Sequence, residues 1–221
     1  MSDATSAPDA GGTLADATVR DLTARLSSSA PVPGGGSAAA IAGAMGASLV
    51  AMVAELTAGR PDYAAVDADV RAIGADAASL RERLLELAEL DSAAFDGVMA
   101  ARRLPKSSDE ERARRKEAMG ASFVTAAEVP LETARTATRV LALAARIAPL
   151  GNPNAISDAG VAAQLASAAV RGAALNVRIN LPYLPADAAI ARSAPDEVGR
   201  LESGAVTAER ATLDDVMRRL G

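Results

Sequence analysis

Residues 31–57 read PVPGGGSAAAIAGAMGASLVAMVAELT, and no charged residue lies between Pro31 and Glu55. A Pro/Gly segment breaks the chain there, and a long run of small apolar residues follows. The run approaches the length of a membrane span, but Ala and Gly contribute little transfer energy and no aromatic or basic residues flank it. We therefore predict a buried helix from Ser37, as its N-cap, to about Gly59.

Small residues shape one side of this predicted helix. Gly43 and Gly46 let a neighbouring backbone approach closely, as small residues do where helices cross. The preceding glycines, Gly34, Gly35 and Gly36, form either a simple loop–helix junction or a phosphate-binding nest. The segment lacks the lysine of a P-loop and the spacing of a dinucleotide fingerprint. We expect Gly34–Ser37 to bring backbone N–H groups against a ligand.

The composition excludes several kinds of chemistry. Half of the 221 residues are apolar but only 2% are aromatic, and His and Cys are absent. The chain therefore has no disulfide, no thiolate or imidazole metal site and no Ser–His or Cys–His nucleophile. Carboxylates, Tyr, Lys or water remain for proton transfer.

The charge and the ends of the chain bear on partners and location. The net charge is −5, and of 23 basic residues only Lys106 and Lys116 are lysines, a balance unlike that of a nucleic-acid binder. Residues 1–12 are small and polar, which indicates a disordered tail rather than a secretory signal. We expect one helical domain over residues 13–221, in the cytoplasm and not in a membrane.

Apolar periodicity predicts helices along the rest of the chain. Residues 13–28 form an amphipathic helix, and residues 62–103 carry apolar residues at alternating spacings of four and three. Ser107 and Glu110 have capping-box spacing, and a helical stretch continues to about Leu150 with a kink or break at Pro130. Residues 207–220 form a last helix. The fold prediction is all-α, an up-and-down bundle of long helices with short peripheral ones.

Two aspartates interrupt otherwise regular apolar seams. The seam of the 62–103 helix continues onto Asp91. A second seam comprises Val161, Leu165, Ala168, Gly172, Leu175 and Ile179, and one step before it lies Asp158. A buried carboxylate needs a partner or a function. Each has a structural explanation, an arginine across the bundle for Asp91 and backbone N–H groups for Asp158, but two facing each other would indicate a catalytic site.

A polar set accompanies Asp158 in this aliphatic chain. Asn152, Asn154, Asn176 and Asn180 are each explained by caps or interhelical hydrogen bonds, with Ser157 as an alternative cap. Together they suit a ring system rich in donors and acceptors, such as a pterin. Lys106 lies on the surface or binds an anionic substrate tail.

These segments resemble the cyclodeaminase/cyclohydrolase family. The stretch PVPGGGSAAAIAGAMGASLVAMVAELT is similar to the start of the family domain. DSAAF from Asp91, the later LPK, AEVPLETA around Pro130, and GNPNAISDAG through NVRINL match further segments in the same order. The resemblance covers about residues 15–182. The family comprises the C-terminal cyclodeaminase domain of formiminotransferase-cyclodeaminase and stand-alone methenyltetrahydrofolate cyclohydrolases.

The resemblance implies a helical bundle that pairs as a homodimer, with folate sites in clefts near the dimer interface and no metal or resident cofactor. It implies either hydrolysis of 5,10-methenyl-tetrahydrofolate to 10-formyl-tetrahydrofolate, or cyclisation of 5-formimino-tetrahydrofolate with release of ammonia. The length of the chain favours the cyclohydrolase. The substrate carries either one glutamate or a polyglutamate tail. The rival hypothesis is a non-catalytic helical folate-binding or scaffold protein that kept the fold.

Two groups of site residues follow from this interpretation. The catalytic candidates are Asp158 and Asp91, with Asp158 expected to matter more because it begins a helix beside asparagines. The substrate-binding candidates are Gly34, Gly35, Gly36, Ser37, Lys106, Asn152, Asn154, Ser157, Asn176 and Asn180. An aspartate with a desolvation-raised pKa is the best base available in this chain.

Overall fold

The structure, a computed structural model, describes residues 12–221. All regular elements in that range are helical, which confirms the all-α prediction. All but the last residue of the expected disordered tail, residues 1–12, lies outside the described residues.

Six α-helices and three short 3₁₀ turns make up the described chain. The helices are α1 (Val19–Leu26), α2 (Gly35–Glu55), α3 (Asp67–Arg102), α4 (Asp109–Leu150), α5 (Ile156–Asn180) and α6 (Ala189–Leu220). The 3₁₀ turns are Pro61–Tyr63, Pro153–Ala155 and Leu181–Tyr183.

Helices α2 to α5 pack side by side, and consecutive ones run in opposite directions. Helix α2 lies between α3 and α5, while α4 closes the group by contacting both α3 and α5. Helix α6 packs across α4 and α5, where Arg135 Nε of α4 contacts Glu197 Oε1 at 2.6 Å. The start of α2, the end of α3 and the end of α5 therefore lie together at one end of the molecule, called here the upper end.

The small residues of α2 set its distance from both neighbours. A Cβ on Gly43 would lie 3.2 Å from Leu84 of α3 and 3.3 Å from Ala169 of α5. A Cβ on Gly46 would lie 3.0 Å from the backbone oxygen of Ala162. Close packing of backbones thus replaces the aromatic side chains that this core lacks.

Helix α2 is the one described helix that is long and apolar enough to cross a membrane. Its mean hydropathy is 1.8 over an 18-residue window, of which 56% is buried inside the protein. Most of the apolar residues of α2 are buried against α3 and α5, and the others lie on the outward side of the helix.

Several predicted helix ends and caps were wrong by small amounts. Gly34, not Ser37, is the N-cap of α2, because the Ser37 side chain turns inward toward α3. The capping box is Ser108 with Glu111, one residue later than predicted. Helix α4 continues through Pro130 without a break, and the last helix begins at Ala189 rather than Thr207.

The two predicted apolar seams have different fates. The α3 seam is buried, with Val70, Ile73, Ala77, Leu80, Leu84 and Leu87 at most 3% exposed. The α5 seam is not, since Val161, Leu175 and Ile179 are 44%, 66% and 68% exposed. The core side of α5 is made instead by alanines and valines of the opposite stripe, such as Ala166 and Val170. The prediction assigned the largest apolar residues of α5 to the core. It was wrong because small alanines fill the core here and the larger residues face outward.

Candidate active site

A cavity of about 360 Å³ opens at the upper end of the molecule. Its walls come from the Pro/Gly segment before α2, the last turns of α3, the middle of α4 and the end of α5. The volume lies within the range of small-molecule sites. Of the predicted site residues, Gly34, Gly35, Gly36, Asp91, Asn176 and Asn180 line this cavity.

Asp91 is the carboxylate of the cavity, and Ser37 holds it. The Ser37 hydroxyl lies 3.0 Å from Asp91 Oδ2, 2.9 Å from the backbone oxygen of Ala88 and 3.2 Å from Ser92 Oγ. Ser37 itself is fully buried. The first turn of α2 thus fixes a carboxylate of α3 in place, and the positive end of the α2 dipole faces it.

Burial raises the pKa of the Asp91 carboxyl above its ordinary value, and the hydrogen bonds from the Ser37 side chain and backbone oppose that rise. A raised pKa means that the ionised form costs folding free energy, yet it makes the carboxylate a stronger base. Asp91, at a position where the seam calls for an apolar residue, is therefore a candidate general base.

This shift predicts how stability changes with pH. Because its folded pKa is raised, Asp91 costs no stability below the ordinary aspartate pKa of about 3.9. As pH rises through the window between the ordinary and the raised value, stability falls relative to a variant without the carboxylate. We expect the free energy of unfolding of Asp91→Asn minus that of the wild type to increase across this window and to be flat outside it, as measured by urea unfolding at successive pH values.

Asp67 gives the matched control, with the opposite sign. A hydrogen bond from Arg71 lowers the pKa of the Asp67 carboxyl, so its stabilising contribution is lost as pH falls through the lowered value. The corresponding difference for Asp67→Asn is expected to move in the opposite direction with pH. A pH-independent difference for Asp91→Asn would contradict the placement of Asp91 in a desolvated site.

Gly36 fits closely against Asp91. A Cβ at this position would lie 2.1 Å from Asp91 Oδ1 and 2.5 Å from its Cγ, distances that no real contact shows. Gly35 has ordinary space, since a Cβ there would be 3.6 Å from Asn176 Nδ2. The glycine run therefore has separate requirements: Gly36 admits the carboxylate, and Gly34 and Gly35 keep the cavity wall bare.

Asn176 and Asn180 form the amide side of the cavity. Asn176 Nδ2 donates to the Gly172 oxygen at 2.9 Å, and Asn180 Nδ2 donates to the oxygens of Ala126 and Asn176 at 2.8 and 2.9 Å. These bonds orient both amides, and they use both Nδ2 hydrogens of Asn180 and one of Asn176. The two amide oxygens remain to accept from N–H donors of a ligand, and Asn176 keeps one Nδ2 hydrogen as a donor.

Three of the four aromatic side chains in the sequence line the same cavity. They are Phe95, Phe123 and Tyr183, and Phe123 stacks on Tyr183 with ring centroids 4.7 Å apart. Phe95 and Tyr183 are 37% and 55% exposed, so these rings are not used to fill the core. In a chain with 2% aromatic content, this clustering indicates a surface for a flat ligand.

A second cleft, of about 700 Å³, adjoins the first and shares Phe123 and Tyr183 with it. Its other walls carry four basic side chains, Lys106, Arg112, Arg115 and Lys116. Arg112 Nη1 donates to the Lys106 backbone oxygen at 3.2 Å, which ties the loop after α3 to the first turn of α4. Lys106 is therefore part of a basic cleft next to the cavity rather than an isolated surface charge.

The remaining predicted site residues lie at the opposite end of α5. Asn152 is buried, where its backbone N–H donates to Thr57 Oγ1 at 2.9 Å and its side chain accepts from Asn154 N. Asn154 and Ser157 are exposed, and Asp158 is half-buried. Asp158 precedes Asn176 by eighteen residues of continuous helix, about 27 Å at 1.5 Å per residue. Within one chain, Asp158 and Asp91 therefore do not face each other.

The sequence interpretation missed the aromatic walls and Arg102, which also lines the cavity. The aromatic residues could have been proposed as site residues from the sequence, because a chain with so few of them has little use for them in its core. Arg102 could not, since a basic residue in the last turn of a helix is common. Among residues 12–221, no three Asp or Glu side chains are grouped so as to hold a metal ion.

Comparisons with known proteins agree on one family. A family model described as formiminotransferase-cyclodeaminase matches residues 18–200. Methenyltetrahydrofolate cyclohydrolase of Methylorubrum extorquens is 47% identical over 163 residues, which cover 74% of this chain and 78% of that protein. Formimidoyltransferase-cyclodeaminase of Rattus norvegicus is 35% identical over 182 residues, which cover 81% of this chain and 34% of the rat protein.

A solved structure gives the same result. The crystal structure of formiminotetrahydrofolate cyclodeaminase from Thermotoga maritima matches with a TM-score of 0.82 and 25% identity, covering 94% of this chain and all of that one. The family resemblance expected from the glycine run, the Asp91 segment and the asparagine-rich segment is thus confirmed, and this chain belongs to the formiminotransferase-cyclodeaminase family.

Proposed function

We propose that this protein is an enzyme of tetrahydrofolate one-carbon metabolism, and that it hydrolyses 5,10-methenyl-tetrahydrofolate to 10-formyl-tetrahydrofolate. One observation carries the proposal: a half-buried carboxylate with a raised pKa, Asp91, is held by the first turn of α2 at the wall of a cavity that also gathers amides and aromatic rings. The identity of 47% to a methenyltetrahydrofolate cyclohydrolase supports this reaction.

The substrate carries a positive charge delocalised over N5, the methenyl carbon and N10. The Asp91 carboxylate stabilises this cation and orients a water molecule against the carbon. The water oxygen bonds to the methenyl carbon and one water proton passes to Asp91. The C–N5 bond then breaks as the C=O forms, the remaining hydroxyl proton reaches N5, and Asp91 returns its proton to solvent. The net reaction releases one proton.

Different walls of the cavity bind different parts of the substrate. Asn176 and Asn180 offer amide oxygens to the N–H groups of the pterin, and the stacked Phe123–Tyr183 pair packs against the aminobenzoyl ring. The basic cleft beyond this pair takes the glutamate carboxylates, and its four cations suit a polyglutamate tail. The proposed chemistry uses the one-carbon unit of the substrate itself and assigns no step to a metal or resident cofactor.

Cyclising deamination of 5-formimino-tetrahydrofolate is the second candidate, because the formiminotetrahydrofolate cyclodeaminase from Thermotoga maritima has the same fold over its whole length. Both reactions pass through a tetrahedral carbon between N5 and N10. The same carboxylate therefore serves either, with ammonia leaving in one and water entering in the other.

The test is a pair of assays on the purified protein. We expect loss of the near-ultraviolet absorbance of methenyl-tetrahydrofolate at a rate well above the buffer blank, and little ammonia from the formimino substrate. Ammonia release with a slow hydrolysis would reassign the protein as a cyclodeaminase. Folate binding without either activity would favour the non-catalytic scaffold instead.

The family likeness and the packing of α2 to α5 support further proposals about assembly and location. The protein is an up-and-down bundle that pairs as a homodimer, and it works in the cytoplasm without nucleic-acid or membrane partners. Its net charge of −5 and the charge-free outward side of α2 are the observations behind these proposals.

A further inference from the structure

The chain between α5 and α6, residues 181–188, lies against the first half of α4, and we call this segment the strap. It consists of two turns, closed by hydrogen bonds from Leu184 N to the Leu181 oxygen at 3.2 Å and from Ala188 N to the Pro185 oxygen at 3.0 Å. Among the described residues, no backbone hydrogen bond joins the strap to α4. The position of the strap over α4 therefore depends on side-chain packing.

Three contacts between α4 and the segment that leads into the strap follow one row of the α4 surface, at steps of three residues. From the start of α4, they are the approach of Pro185 to Gly120, the stack of Tyr183 on Phe123, and the hydrogen bond from Asn180 Nδ2 to the Ala126 oxygen. The two segments run antiparallel, since the contacting residues occur in opposite order along them. The Tyr183 stack therefore lies between two points of attachment.

The contact between Gly120 and Pro185 is the closest of the three. A Cβ on Gly120 would lie 2.9 Å from Pro185 Cγ, nearer than real Cβ contacts come. Because Pro185 Cγ belongs to a ring that closes on the backbone, it cannot swing aside as the end of a flexible side chain can. The absence of a side chain at residue 120 therefore sets how close the strap lies to α4.

The Tyr183 stack lies where the two clefts of the site meet. Phe123 and Tyr183 are the residues that line both the cavity of Asp91 and the basic cleft. A ligand with its ring system in the cavity and its anionic tail in the basic cleft must cross these two rings. Pro182 and Pro185 restrict the backbone on both sides of Tyr183, so a shift at Pro185 is passed on to the Tyr183 ring.

We propose that Gly120 is a positioning residue of the substrate site. It lets Pro185 pack directly on α4, and this contact holds the Tyr183 ring where the middle ring of a folate crosses from the cavity to the basic cleft. The effect on the substrate rests on the proposed function, whereas the placement of Tyr183 does not. Gly120 lines the basic cleft but not the cavity of Asp91, so the contact governs binding and leaves the carboxylate in place.

The placement of Tyr183 is tested by fluorescence, which needs no activity. The chain has no Trp and two Tyr, so in a Tyr63→Phe background Tyr183 is the single tyrosine. Tyr63 lies in the turn after α2 and lines neither cleft. We expect Gly120→Ala to increase the quenching of Tyr183 by acrylamide, because the ring leaves its stack on Phe123. Gly199→Ala, on α6 with no atom within 4 Å of the new Cβ, is the matched control and is expected to leave the quenching unchanged.

The consequence for the substrate is tested by separating KM from kcat. For Gly120→Ala, we expect the KM for methenyl-tetrahydrofolate to rise about two- to tenfold, the size of one aromatic contact, with no change in kcat. The second probe is 5-formyl-tetrahydrofolate, which takes no part in the proposed reaction. Its dissociation constant is expected to rise by a similar factor, while Gly199→Ala changes neither constant.

Two further backgrounds identify the groups through which Gly120 acts. Pro185→Ala removes the ring atoms that the new Cβ would meet, and Tyr183→Ala removes the ring that is displaced. We expect Gly120→Ala to raise KM no further in either background, because the three residues act through one contact chain.

Several outcomes would overturn the proposal. Unchanged quenching in Gly120→Ala would show that the strap does not depend on this contact, and increased quenching with an unchanged KM would show that binding does not depend on the strap. A fall in kcat at constant KM would place the effect at Asp91 instead. A wild type that binds 5-formyl-tetrahydrofolate but turns over neither folate substrate would contradict the proposed function. Increased quenching and weaker binding in Gly120→Ala would then still support the positioning role.

Discussion

Asp91→Asn is expected to lower kcat by about 10²- to 10⁴-fold, the usual loss when a positioned base is removed. The substituted amide accepts no proton from water and carries no charge to stabilise the methenyl cation. Its oxygen still accepts the Ser37 hydrogen bonds, and burial costs an amide less than a carboxylate. The thermal midpoint of the variant is therefore expected to equal or exceed that of the wild type above the ordinary aspartate pKa.

Asp96→Asn is the matched control for this variant. Asp96 lies five residues further along α3, is exposed and does not line the cavity. We expect its turnover and stability to match those of the wild type. An Asp91→Asn protein that unfolds more easily but turns over normally would show that Asp91 is a structural group.

Gly36→Ala is expected to lower kcat about as much as Asp91→Asn does, although Gly36 has no side chain that could take part in the reaction. The new Cβ would occupy space 2.1 Å from Asp91 Oδ1, so the carboxylate must rotate away from Ser37 and from its place in the cavity. The Asp side chain can make this movement, and Ala favours the helix over Gly by about 0.5–1 kcal/mol. We therefore expect a folded protein with kcat reduced by about 10²-fold or more.

Two comparisons isolate the cause. Gly97→Ala, on α3, meets no atom within 4 Å and is expected to retain full activity. The double variant Gly36→Ala/Asp91→Asn is expected to lose no more than the worse single variant, because both remove the same positioned carboxylate. Losses that multiply would mean that Gly36 acts through another group, such as the backbone wall of the cavity.

The site could be predicted only in part, and the reasons differ among its residues. Asp91 was found because a charge on a buried seam is expensive, and Gly34–Gly36 were found because bare backbone is unusual next to a helix start. Phe123 and Tyr183 are 60 residues apart in the sequence, and no local pattern relates them; the packing of α4 against the end of α5 brings them into contact.

The sequence by itself determined the helical class, the approximate bounds of α2 and α3, and the family. Helical period and the absence of alternation are local properties, and the glycine, aspartate and asparagine segments occur in a fixed order along the chain. The buried α3 seam was also readable, because its core positions are large and its outward positions are charged.

The tertiary structure alone decided which face of α5 is buried and which polar residues share a site. Alanine fills the core where helices approach closely, and the large residues of α5 face outward. A prediction based on residue size therefore chose the wrong face of α5 as the buried one. Because α5 is one continuous helix, Asp158 near its start and Asn176 near its end lie about 27 Å apart. Asn176 and Asn180 therefore join Asp91, while Asn152 and Asp158 lie at the other end of the same helix.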